Sequence, residues 1–136
     1  MRNLDLAKDY VRRCELRILA IETLYKHDAW ADVVREAQEV VELALKALLR
    51  NAGIEFPRIH DVSGILEAQA LLLPVSIRKS IDKLSKISRS LRRDREIAFY
   101  GTEDLTPSEF YKRDDATQAL EDARYVVKTV RTVVVV

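Results

Sequence analysis

The chain has 136 residues, 48 % hydrophobic and 33 % charged, with 23 basic against 22 acidic side chains. That balance suits a globular domain with a real core and excludes both a disordered chain and a globally basic nucleic-acid binder. One cysteine, 3 Gly, 3 Pro and no stretch near ~18 apolar residues exclude a disulfide framework, a turn-rich sheet and a membrane span.

In chain order, Leu6 or Ala7, Tyr10, Cys14, Ile18, Ile21, Leu24 and Tyr25 form one apolar stripe, predicting a helix from about Leu4 to Tyr25. Cys14 falls on that stripe and reads as a small buried thiol. Asp28 is expected to cap a second helix over about Ala29 to Asn51, whose inner face is Trp30, Val33, Val34, Ala37, Val40, Val41, Ala44, Leu45, Leu48 and Leu49. The short connection makes the two an antiparallel hairpin. Gly53 suits a left-handed helix end, and Pro57 stops propagation through a loop over 53–60.

Asp61 or Ser63 can cap a shorter helix reaching about Leu72. Pro74 suits the first turn of a long helix to Tyr100, with Ile77, Ile81, Leu84, Ile87, Leu91 and Ala98 inward. Gly101 ends it, a loop spans 101–112, and a last helix over about Arg113 to Thr132 buries Ala116, Ala119, Leu120, Ala123, Val126, Val127 and Val130. The expected architecture is an all-α up-down bundle of four long helices and one short one. Residues 1–132 are expected to form a single domain and 133–136 a tail, either frayed or a small contact patch. The N-terminal residues lack a signal-peptide pattern, so a cytoplasmic protein is the expectation.

Several segments taken together resemble one family. They are Trp30 through Leu49, the Gly53…Pro57…His60-Asp61 loop, Arg95…Tyr100-Gly101, and Tyr111…Asp115-Ala116…Ala119…Ala123. In this order they are similar to HEPN domains (higher eukaryotes and prokaryotes nucleotide-binding), of the type associated with nucleotidyltransferases. The resemblance implies a helical homodimer that binds RNA or nucleotide and acts with a minimal nucleotidyltransferase, in some relatives as a toxin–antitoxin pair. In other members it implies metal-independent ribonuclease activity through an Arg followed four to six residues later by His. Here four residues separate Arg95 from Tyr100, and tyrosine stands at the histidine position. Tyrosine, with an ordinary pKa near 10 against histidine's ~6.5, is poorly suited to general-base work.

Arg95 lies on the apolar stripe of its helix, so it is either a phosphate-binding guanidinium or a structural ion pair with Glu39, Glu42 or Asp115. On a regular helix Arg95 and Tyr100 stand roughly 140° apart, so they converge only at a fraying end or across a dimer axis. Tyr100 otherwise closes the core with its hydroxyl in water. Asp94 and Glu96 flank Arg95 as supports or bystanders. Between residues 78 and 96 eight basic side chains face three acidic ones, a local excess of five. This helix, with Arg92, Arg93 and Arg95 near its end, is either a phosphate track or a solvated face. His60 caps the next helix, pairs with an acid or supports the site. No metal or cofactor is expected, because two unrelated histidines and no phosphate-cradling Gly-rich loop are present. A scaffold without catalysis remains the structural alternative.

Overall fold

Helix α2 (Trp30–Asn51) forms the axis of the molecule. In its sequence apolar residues recur at three, four and seven positions, and Ala31, Val33, Val34, Ala37, Val40, Val41, Ala44, Leu45, Ala47, Leu48 and Leu49 are all buried. That stripe is wide because three helices pack on it: α1 (Leu4–Lys26), α5 (Ile81–Tyr100) and α7 (Arg113–Arg131). The computed structural model describes residues 3–135, and for Asp94, Arg95 and Glu96 the backbone alone. Among the described residues there is no strand, so the fold is all-α with four long helices.

Three short helices accompany them, where one had been expected: α3 (Ser63–Ala68), α4 (Val75–Arg78) and α6 (Pro107–Phe110), with a 3-10 turn at Ala70–Leu72. The helix expected from Pro74 to Tyr100 is broken at Lys79 and Ser80. The Ser80 N–H reaches back only three residues to the Ile77 carbonyl, at 2.8 Å. Ile77 and Ile81 both still enter the core, so the apolar pattern runs through the break undisturbed. Helix α6 lies inside the expected loop over 101–112. The Thr106 hydroxyl accepts from the Glu109 N–H at 3.2 Å and donates to the Glu109 carboxylate at 2.9 Å, with Pro107 at the first helical position.

The α1–α2 corner also differs from expectation. Asp28 does not cap α2; it ends α1 in the left-handed conformation at φ 60°. Its N–H bonds the Tyr25 carbonyl and the Ala29 N–H bonds the Leu24 carbonyl, the paired bonds of a Schellman end. Gly53, at φ 74°, closes α2 the same way through Gly53 N–H to Arg50 and Ile54 N–H to Leu49. The inner faces expected for α2 and α7 are buried, apart from the half-buried Trp30. Cys14 is wholly buried, its Sγ 3.5 Å from the Val40 carbonyl, and burial pushes its pKa up to about 12. Val134 also enters the core, so the C-terminal valines contribute a contact patch. Among the described residues no helix is long and apolar enough to cross a membrane.

Candidate functional site

The outer face of α5 carries the largest local charge excess, and the fold sets it beside α7. Both helices pack on α2 yet meet each other only sparsely. A groove of about 780 Å³ opens between them, with Lys83, Lys86, Arg89 and Arg93 on the α5 wall and Gln118 and Asp122 on the α7 wall. Helical spacing of three and four residues places those cations in line along the groove.

The cations differ in how far they are already engaged. Lys83 stands 3.9 Å from the centre of the Tyr125 ring. Arg89 is ion-paired to Glu67 of α3, which raises its already high pKa. Lys86 and Arg93 are exposed and pair with no acid among the described residues. Arg92 is half-buried and does not line the groove. Asp122 faces these cations with its pKa raised: burial dominates, and the Gln118 hydrogen bond and the Lys83 charge offset it incompletely.

Tyr100 stands at the end of α5. Tyr100 is 77 % exposed. It does not close the core, because the chain leaves α5 at Gly101 before a further turn could cover it. Its ring meets its neighbour Phe99 edge-on, with centres 4.5 Å apart. The Phe99 ring in turn lies under the Arg35 guanidinium at 4.6 Å. The proposed roles of Arg95, Asp94 and Glu96 rest on side chains outside the described residues. Two of the acids considered for Arg95 have other engagements: Asp115 accepts the Lys112 backbone N–H at 2.8 Å, and Glu42 is held by Lys46 and His60. Glu39 pairs with Arg17 at 3.1 Å and Arg35 at 3.5 Å.

Sequence reasoning offered His60 as a cap, an ion-pair partner or a support of the site, and the structure pairs it with an acid. Its Nδ1 lies 2.9 Å from Glu42 Oε1, across 18 residues of chain. Lys46 Nζ donates to the other Glu42 oxygen at 2.9 Å, and Gln38 Nε2 to the first at 3.2 Å. Burial alone would raise the Glu42 pKa, but these donors outweigh it and hold the carboxyl below its ordinary value. Asp61 instead binds the start of α3, its Oδ1 accepting the Ser63 N–H at 2.9 Å and the buried Ser88 hydroxyl of α5 at 2.7 Å. Against a raising contribution from burial, those bonds and the nearby Arg89 charge keep Asp61 low. The Glu42–Lys46 spacing was visible as a helical pair; the return of the loop to it was not. Among the described residues no group of three or more His, Cys, Asp or Glu side chains gathers as metal ligands would.

Comparison with known proteins agrees with this fold and this order of segments. No solved structure matches the chain. A protein of Methanocaldococcus jannaschii named "Putative toxin MJ1304" is 29 % identical over 137 residues, covering 95 % of this chain and 88 % of that protein. The model of the HEPN domain matches residues 7–133. From α1 through the end of α7, the chain belongs to the HEPN domain family.

Proposed function

We propose that this chain is an RNA-binding HEPN subunit, homodimeric and acting with a minimal nucleotidyltransferase in a toxin–antitoxin-like pair. The observation that carries the RNA reading is the α5 wall of the α5–α7 groove, where Lys86 and Arg93 stand exposed, with no acid partner among the described residues, beside Lys83 and Arg89. Cations in line on one helix face suit a phosphodiester backbone, whose binding releases condensed counterions. Of the described arginines near the end of α5, Arg93 lines the groove and Arg92 does not. The name of the archaeal relative supports the toxin-like setting. Family membership supports the dimer and the nucleotidyltransferase partner.

Fluorescence anisotropy with a single-stranded RNA oligonucleotide tests the reading. Wild type binds at low salt, and Lys86→Glu with Arg93→Glu weakens binding by about tenfold or more. Removing two phosphate contacts on a single strand also lowers the slope of log affinity against log salt by about 1.4. A wild type that fails to bind at low salt, or variants that bind unchanged, overturns it. Light scattering checks the dimer against twice the 15.6 kDa chain mass.

A further inference from the structure

The two walls of the α5–α7 groove differ in chemistry. The α5 wall offers cations, whereas the α7 wall offers Gln118 and Asp122, an amide and a carboxylate at successive turns of the helix. Buried Ile87 also lines the groove, an apolar surface against which a flat ring can lie. A carboxylate beside a phosphate track repels the phosphates, so Asp122 weakens binding unless a different group meets it. Asp82 also lines the groove but is exposed to water, while Asp122 is half-buried.

Gln118 Nε2 donates to Asp122 Oδ1 at 2.9 Å, and Oδ2 has no hydrogen bond among the described residues. Lys83 is drawn to the Tyr125 ring and Arg89 to Glu67, and Asp122 forms no ion pair among the described residues. The Gln118 bond orients the carboxylate and leaves acceptor capacity on both oxygens. Such a fork matches two parallel N–H donors on one planar edge. Among the RNA bases, guanine presents that pair on its Watson–Crick edge, at N1 and the 2-amino group. Adenine and cytosine set one amino donor beside a ring-nitrogen acceptor, and uracil sets its N–H between two carbonyls. Each of those three places a lone pair against the second carboxylate oxygen. Single-stranded RNA leaves these edges free to be read.

We propose that the α5–α7 groove selects guanine in single-stranded RNA, with Asp122 accepting the guanine N1–H and 2-amino N–H while the α5 cations hold the flanking phosphates. Gln118 is the positioning residue of Asp122. This selectivity rests on the RNA-binding reading and adds a base preference to it. The two walls then divide the work, α5 fixing the backbone and α7 reading the base. The environment of Asp122 agrees: burial has stripped the carboxylate of water and raised its pKa, and two N–H donors would replace the lost water.

The test is fluorescence anisotropy at one salt concentration with RNA oligonucleotides of equal length. One is all uridine; the others carry guanosine, inosine, adenosine or cytidine at a central position. Wild type binds the guanosine strand about tenfold or more tightly than the uridine strand. Inosine, which keeps N1–H and lacks the 2-amino group, recovers part of that preference, and adenosine and cytidine recover none. Asp122→Asn, checked for native helicity, brings the guanosine and uridine strands within about twofold of each other. It also tightens the uridine strand, because a negative charge has left the phosphate track. An Asp122 that acted by charge alone would instead let the variant tighten both strands alike, which overturns base reading. Gln118→Ala narrows the preference, and an unchanged preference there overturns the positioning role. Wild type that binds every strand equally, or prefers adenosine or cytidine, overturns guanine selection and leaves RNA binding standing. A preference that survives Asp122→Asn overturns the role of the carboxylate. Failure of wild type to bind any strand removes both proposals.

Discussion

Asp28 and Gly101 hold two positive-φ corners of the chain, and their chemistry predicts opposite responses to substitution. Asp28 sits at φ 60° in a left-handed helix end that glycine enters at no steric cost. Its ion pair with Arg113 spans 4.0 Å between exposed side chains and contributes little. Asp28→Gly therefore stabilises the fold by about 0.5–1 kcal/mol, raising Tm by roughly 2–4 °C in thermal denaturation. Gly101 adopts φ 85° and ψ −168°, and an added Cβ would lie 2.6 Å from the Leu105 carbonyl oxygen. Gly101→Ala thus costs about 1–3 kcal/mol, seen as a lower Tm with the end of α5 displaced from α6. Cys14 offers a third check. With its thiol buried and its pKa pushed up to about 12, it reacts with a disulfide reagent only at the rate of unfolding.

Among the elements, α2 and α7 were the most legible in sequence, because their inner faces repeat at helical spacing with few interruptions. The break at Lys79 and Ser80 was not legible: no Gly or Pro marks it, and Ile77 and Ile81 keep a helical interval across it. Helix α6 had a signal in Thr106-Pro107-Ser108-Glu109, a capping sequence read as loop because only four helical residues follow the cap. Asp28 was misread because aspartate suits both the start of a helix and a left-handed end. His60 was recognised as a candidate, yet its partner Glu42 depends on a loop returning across α2, which periodicity cannot show. At the same scale, Asp61 ties α3 to α5 by holding both the Ser63 N–H and the Ser88 hydroxyl. Asp61→Ala removes the acceptor of the Ser63 N–H and leaves a buried hydroxyl unpaired, for a loss of about 1–3 kcal/mol in chemical denaturation.

For the whole molecule, Asp61 and Glu42 also set the acid response. Both carboxyls lie below their ordinary values in the fold, so the unfolded chain binds protons more readily than the native one. Their stabilisation is present in full above the unfolded carboxylate range. It is lost as pH falls through that range and the lower native values. Urea midpoints measured from pH 7 to pH 3 should therefore fall, and the fall should be shallower in Asp61→Asn.

The position of α2 has a mechanical consequence as well. Because α5 and α7 are each secured to α2 and touch one another little, the groove between them behaves as a slot whose width is set separately from the packing beneath it. A modest tilt of α5 would widen or narrow the slot while α7 keeps its own packing on α2.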